Sequence, residues 1–326
     1  MSAKEIEMSK ELGIQTLTQE EWIKERQAGI GASEVATALG LNPYKSPYTL
    51  WAEKRGIVLP NARETLAMRL GHLLEPIVTT LYEDETGRRT HDPGEFAFRR
   101  STDWDFLFCT PDRIVYDGKR GFGALELKTS GQFSAKDWRG GSVPLHHQVQ
   151  NQAQMLILNL KWGSVAGLIG NRDFFTRDFD RQDGLLFKVV EHLKRFWDRV
   201  QTGTAPPVDG SKSTKETLCL LHPNDNGATA TLSSDTVNQD KRLIEIKAML
   251  KKLETEKIEL ENWFKEQIGD ATFGEFGNVR YSLKTQVRKG KITVADEYLD
   301  RLVTTDIPFE QKDSQFRVLR KLKVGK

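Results

Sequence analysis

The residues from Leu107 to Lys128 constrain this chain more than any other stretch. Asp117-Gly118-Lys119-Arg120-Gly121 is turn chemistry between two apolar segments and reads as the tip of a β-hairpin. Asp112 lies seven residues before the midpoint, Lys119, and Glu126 seven after it, so a simple hairpin sets the two carboxylates opposite each other. Alternate residues of a strand share a face, so Glu126 and Lys128 point one way while Leu125 and Leu127 point the other. Two charged groups on one face of a core strand, opposite an aspartate, are costly to bury unless they are neutralised. A hard cation between the carboxylates would do this. The same residue types suit phosphodiester hydrolysis: carboxylate-bound Mg²⁺ activates water and neutralises phosphate charge, and a neighbouring lysine orients the water and favours its deprotonation. The pattern is short, and a surface hairpin with an incidental ion pair carries it equally well.

Two other segments add candidates. Arg63 to Glu85 reads as a long helix, with Leu66, Leu70, Leu74, Ile77, Val78 and Leu81 at helical spacing. Glu75 sits within it between Gly71 and Pro76. Gly71 is one turn earlier on the same face, and an interior proline is uncompensated unless the helix is distorted for a purpose. That purpose is either to present Glu75 or simply to kink the helix. Further on, Gln148 and Gln152 share one helix face, as do Gln150 and Gln154. Such amides can orient a nucleophile or hold a phosphate, or they can line a solvated face.

The order of elements is that of an α/β core with a mixed sheet. Thr18 with Glu21 is a capping box that opens a short helix through Trp22 and Arg26, and Gly29-Ile30-Gly31 breaks it. Ser33 reads as the N-cap of a second helix, through Val35 and Leu39 to Gly40. Strands are expected over 95–99, 106–116, 122–128, 162–169 and 174–179, with helices over 145–158 and 185–200. The core therefore spans 1–208, with 1–17 as an extension. Residues 209–235, rich in Ser, Thr, Gly and Asn, read as linker or loop. An accessory region, 236–326, follows. Within it Ile246, Leu250, Leu253, Lys257, Leu260 and Phe264 form a short heptad seam, for another helix of this chain or for a second protomer. A strand near 279–283, a helix over 294–302 and a strand over 316–322 complete the chain.

Composition narrows the function. No apolar run long enough for a membrane span occurs, and the first ten residues lack a secretory apolar region. Two distant cysteines, Cys109 and Cys219, disfavour disulfide, zinc-ribbon and iron–sulfur frameworks and suit a reducing cytoplasm. The net charge is only +2, but basic residues cluster at Arg88-Arg89, Arg99-Arg100, Lys119-Arg120 and over 317–326. Carboxylates at a centre with basic patches around it suit an enzyme acting on nucleic acid, although each pair alone is also ordinary surface.

Five motifs in order carry a resemblance: 26–34 (RQAGIGASE), Gly71 to Pro76, Cys109-Thr110-Pro111-Asp112, Leu125-Glu126-Leu127-Lys128, and Gln150-Asn151-Gln152 leading to Lys161-Trp162. Together they resemble the PD-(D/E)xK nuclease superfamily, and within it the phage lambda exonuclease and YqaJ-like viral recombinase group, over about residues 20–205. The resemblance implies a restriction-endonuclease-like core, a mixed central sheet flanked by helices, followed here by an α+β extension with a coiled-coil-like helix. It implies that Glu75, Asp112 and Glu126 hold Mg²⁺, with Mn²⁺ able to substitute, and that Lys128 and Gln152 complete the catalytic set. Arg26 and Ser33 are implied to hold a terminal 5′-phosphate, with Gln150 on the DNA. The implied reaction is 5′→3′ digestion of linear double-stranded DNA, leaving 3′ single-stranded tails for recombination with a single-strand annealing partner in a bacterial host cytoplasm. A restriction- or repair-type endonuclease and a non-catalytic DNA-binding or assembly protein are the competing readings. The chain departs from the group at His146-His147, where aromatic residues are common, and in its length beyond Val208, so a ring-shaped trimer is not carried over.

Overall fold

The computed structural model describes residues 9–59, 66–289, 292–294, 309–311 and 314–322. The chain divides into two compact units, Met1–Asn226 and Gly227–Lys326.

In the first unit the helices in chain order are α1 (Gln19–Gln27), α2 (Ala32–Ala38), α3 (Pro47–Lys54), α4 (Leu66–Thr86), α5 (Leu145–Ile157), α6 (Asp183–Thr202) and α7 (Lys212–Leu221). The central sheet is formed by β1 (Arg89–His91), β2 (Arg113–Asp117), β3 (Gly121–Ser130), β4 (Trp162–Ile169) and β5 (Asp173–Asp180), side by side in that order. Only β3 and β4 are parallel, so the sheet is mixed, and the return from β3 to β4 crosses over through α5. Helix α4 covers one face, where Val78 and Tyr82 pack on Val115, Leu125, Leu127, Trp162 and Ala166. Helices α5 and α6 cover the other, where Ala153, Met155, Val190 and Leu193 meet Ile114 and Ala124.

The hairpin has the expected register. Asp117 pairs with Gly121 and Arg113 with Leu125, which continues to Asp112 opposite Glu126. The predicted strand 106–116 is broken in two, however, as Leu107–Cys109 and β2. Pro111 brings no N–H to the ladder, and the Asp112 side chain takes over, its Oδ2 accepting the Leu127 N–H at 2.8 Å.

Local chemistry explains the other boundaries. Thr18 and Glu21 form the expected capping box, with Thr18 N–H donating to Glu21 Oε2 at 2.9 Å and Glu21 N–H to Thr18 Oγ1 at 3.3 Å. The break after α1 is a two-residue strand, Ile30–Gly31, lying parallel to Leu107–Cys109. Gly29 is required there, because a Cβ would sit 2.6 Å from the Phe106 carbonyl oxygen. The expectation that Ser33 caps α2 is corrected. Gly31 is the N-cap, its N–H donating to Glu34 Oε2 at 2.8 Å, so the helix begins two residues earlier and Ser33 lies inside its first turn.

Two further expectations are revised. Only the C-terminal half of α4 is core: Leu66, Leu70, Leu73 and Ile77 are exposed, whereas Val78 and Tyr82 are buried. The stretch read as linker or loop contains α7. Ser211 caps it, accepting the Thr214 N–H at 3.1 Å, and Thr217 and Thr214 bond to Thr49 and Ser46 of the α3 region at 2.8 and 2.7 Å. Its hydroxyls, which resemble linker composition, are the contacts that dock it.

The second unit contains helix α8 (Thr236–Ile268) and a three-stranded antiparallel sheet, Phe273–Phe276, Val279–Arg288 and Ser314–Leu322; Ile292–Val294 pairs with Phe309–Gln311. Helix α8 meets the sheet at its C-terminal end, where Phe264 stacks on Tyr281 with centroids 4.3 Å apart. The seam residues Ile246, Leu250, Leu253 and Leu260 are exposed. The helix expected over 294–302 begins instead as the end of a strand at Val294, and 295–302 lie outside the described residues. No helix among the described residues is long and apolar enough to cross a membrane. Cys109 is buried and Cys219 exposed, both as free thiols.

Asn151 locks α5 to the sheet. It is fully buried, and its Nδ2 donates to Ala124 O of β3 at 3.1 Å and Ser164 O of β4 at 3.2 Å. Asn151→Ala is expected to lower unfolding free energy by about 1–3 kcal/mol, since two buried carbonyls lose their donor. Urea denaturation measures this, and an unchanged midpoint would show that the lock is dispensable.

Candidate active site

The carboxylates and lysine of the hairpin come together with α4 and α5. Glu126 is fully buried. Gln150 Nε2 donates to its Oε1 and Gln154 Nε2 to its Oε2, each at 2.6 Å, and the Lys128 ammonium pairs with Oε1. Glu75, Asp112 and Lys128 line one cavity of about 250 Å³, together with Gly71, His72, Leu127 and Thr129. His72 Nδ1 lies 3.2 Å from Glu75 Oε1.

The electrostatics show excess negative charge. Burial, then the nearby Asp112 carboxylate, pushes Glu126 from its ordinary 4.5 to about 7 despite the ion pair with Lys128. Burial and Asp112 likewise raise Glu75, against the opposing pull of His72 and Arg113. Burial works against the Lys128 charge, but Glu126, Asp112 and Glu75 outweigh it and hold the ammonium above its usual value. Three hard-oxygen donors that repel one another suit a divalent cation. Among the described residues no three His, Cys, Asp or Glu side chains stand close enough to hold a metal as they are. Glu126 is engaged by two amides and Lys128, and Asp112 Oδ2 by the Leu127 N–H.

The expected active-site glutamine is corrected. Gln152 faces away, its Nε2 donating to Asp180 O and its Oε1 accepting the Gln182 N–H, both at 2.9 Å. Helical geometry accounts for this, because residues two apart lie on nearly opposite sides while residues four apart share one. Gln150 and Gln154 therefore reach Glu126 together, and Gln152 ties α5 to the start of α6. The shared face of 150 and 154 was the available signal for Gln154.

Arg26 belongs to a second cavity, of about 290 Å³, lined by Trp22, Ile23, Gln27, Glu34, Lys45, Glu53 and Lys54 as well. The Arg26 guanidinium stacks over Trp22 at 4.6 Å and lies 3.7 Å from Glu34. Lys54, nearly buried, pairs with Glu34 at 2.7 Å and donates to Arg26 O at 2.5 Å; burial pulls its ammonium below the usual value. Ser33 is exposed and lies outside this lining. Lys45 and Lys54 had no signal in the sequence, because each reads as an ordinary surface lysine. A hydrogen bond from Trp22 Nε1 to Thr110 Oγ1, 3.1 Å, joins this cavity to the segment that carries Asp112.

Residues 21–161 match the YqaJ-like viral recombinase domain. The uncharacterized protein YqaJ of Bacillus subtilis (strain 168) is 30% identical over 275 residues, covering 83% of this chain and 85% of its own. Among solved structures, LHK-Exo in complex with dAMP is similar at a TM-score of 0.49 and 21% identity, over 57% of this chain and 94% of that one. An alkaline exonuclease (LHK-Exo) from Laribacter hongkongensis gives 0.48 and 22%, with the same coverage.

The raised Glu126 carries a pH signature. Folded protein holds this proton more tightly than unfolded chain, so the group's contribution to stability is full below about pH 4.5 and is lost as pH rises through about 7. In chelator, Asp112→Asn, which removes the like charge, should lessen that decline. Thermal unfolding of both proteins across the window measures it; the same slope in each would rule out Asp112 as a cause.

Proposed function

Because the chain belongs to the YqaJ-like viral recombinase family, we propose that it is a metal-dependent exonuclease that digests linear double-stranded DNA from 5′ ends. The observation that carries this reading is the convergence of Glu75, Asp112 and Lys128 on one cavity, with Glu126 held behind them by Gln150 and Gln154. Within a restriction-endonuclease-like core, Glu75, Asp112 and Glu126 would hold Mg²⁺, or Mn²⁺ in its place. Bound there, the cation supplies charge neutralisation at the scissile phosphate and acidifies water.

The chain's own residues do the rest. Gln150 and Gln154 hold the Glu126 carboxylate in one orientation. Lys128, kept protonated by its acidic neighbours, places its charge where the attacking water and the phosphate meet. The Arg26 cavity receives the terminal 5′-phosphate, with Lys54 and Lys45 offsetting the two carboxylates, Glu34 and Glu53. An arginine fork suits a terminal phosphate, which carries more negative charge than an internal one. The product would be a 3′ single-stranded tail for an annealing partner. The exposed seam of α8 supports a separate role for that helix in pairing with a second protomer or with that partner.

Two measurements test this. Asp112→Ala or Glu126→Ala should abolish Mg²⁺-dependent hydrolysis, a loss of several kcal/mol of transition-state stabilisation, while DNA binding largely persists; cleavage at the wild-type rate would refute the site. Linear duplex with 5′-phosphates should be degraded much faster than the same duplex with 5′-hydroxyls, and Arg26→Ala should reduce that preference. Equal rates on both, or efficient cutting of covalently closed circles, would overturn the exonuclease assignment and favour an endonuclease on the same carboxylates.

A further inference from the structure

Tyr44 is an exposed ring on a tied loop, and nothing in the chemistry above uses it. It is 75% exposed. The loop that carries it is nevertheless tied down: Asn42 Oδ1 accepts the N–H groups of Tyr44 and Lys45 at 2.8 and 3.3 Å, and Asn42 Nδ2 donates to Thr37 Oγ1 at 2.9 Å. The loop reaches from the Arg26 cavity to helix α5. On one side Lys45 lines the cavity that holds Arg26. On the other the Tyr44 ring meets His146 edge-on, with centroids 6.2 Å apart and planes at 85°.

His146 stands near the carboxylate site, close enough for Lys128 to act on it. It stands one helical turn before Gln150, on the face of α5 that reaches Glu126. It packs on His147 at 4.0 Å, and His147 packs on the buried Trp138 at 5.8 Å. Tyr44 is thus the outer end of an aromatic row anchored in the core. Burial, then the nearby Lys128, holds both imidazoles below their usual range, so the row is uncharged at neutral pH and unsuited to gripping phosphate. It offers a π-face instead.

We propose that Tyr44 is a base-stacking residue: an unpaired base of the strand whose end enters the Arg26 cavity packs on the free face of its ring. The inference rests on the DNA-end reading above. A tied loop and an edge contact place the ring beside the Arg26 cavity, and stacking tolerates any base because every base has a π-face. An already unpaired base is required, since a paired one is stacked within the duplex. Tyr44 therefore selects a frayed or opened end.

The test uses the full-length protein and 5′-phosphorylated duplexes carrying 2-aminopurine at the first, second or third nucleotide from the 5′ end. Without divalent metal, binding of wild-type protein should quench fluorescence at one of these positions through stacking. Tyr44→Ala should abolish that quenching and Tyr44→Phe should keep it. With Mg²⁺, KM for Tyr44→Ala should rise about tenfold. Replacing the stacked nucleotide with an abasic one should impose a similar rise on the wild type and little more on the variant. Quenching and KM unchanged in Tyr44→Ala, with hydrolysis intact, would overturn the stacking role and leave the nuclease reading standing. Quenching that depends on Tyr44 in a protein that hydrolyses nothing would sink the nuclease reading alone.

Discussion

A carboxylate with no exposed surface, set in the middle of a β-sheet, has to be answered from every side, and the answers to Glu126 organise this molecule. Left alone, such a buried carboxyl would ionise only at great cost. Here two amides arrive from α5 and an ammonium from two residues along the same strand. The amides are in reach only because Asn151, between them in sequence, fastens the helix to both parallel strands. Gly163 leaves room for that fastening, since a Cβ there would sit 2.7 Å from the Asn151 carboxamide. The parallel crossover, the helix height and the side-chain orientation are thus one arrangement seen at three scales.

Asp112 plays the complementary part at the start of β2, an interior strand. Where Pro111 interrupts the strand, the aspartate accepts a backbone N–H that would otherwise face a gap in the ladder. The interruption brings the Asp112 carboxylate into the same cavity as Glu75, from the middle of α4. Structural and chemical demands coincide, since the residue that repairs the ladder also raises its acidic neighbours.

Much of this was legible from residue order. The hairpin turn and its symmetry placed Asp112 opposite Glu126, and strand alternation separated Glu126 and Lys128 from the leucines between them. The α5 pattern also stated that Gln150 and Gln154 share a face. A motif's spacing points to Gln152, whereas helical phase turns Gln150 and Gln154 toward Glu126. Other features could not be read at all. Which half of α4 is covered depends on where the sheet ends, and hydrophobic periodicity looks the same in both halves. The α7 segment looked like a linker because its contacts are hydroxyls, whose partners lie more than a hundred residues away. The Ser33 cap failed because Gly31 has no side chain to announce its role, and Glu34 supplied the bond from three residues on.

The two cysteines make the protein easy to instrument. Cys109 is sealed in the core beside the carboxylate site, and burial pushes its thiol well above the usual range. Cys219 lies exposed on α7. A maleimide dye added to native protein will therefore mark one position without mutagenesis, and the label will sit on a helix that contributes to neither cavity. Fluorescence anisotropy or single-molecule tracking on DNA can follow the unaltered chain through that one handle.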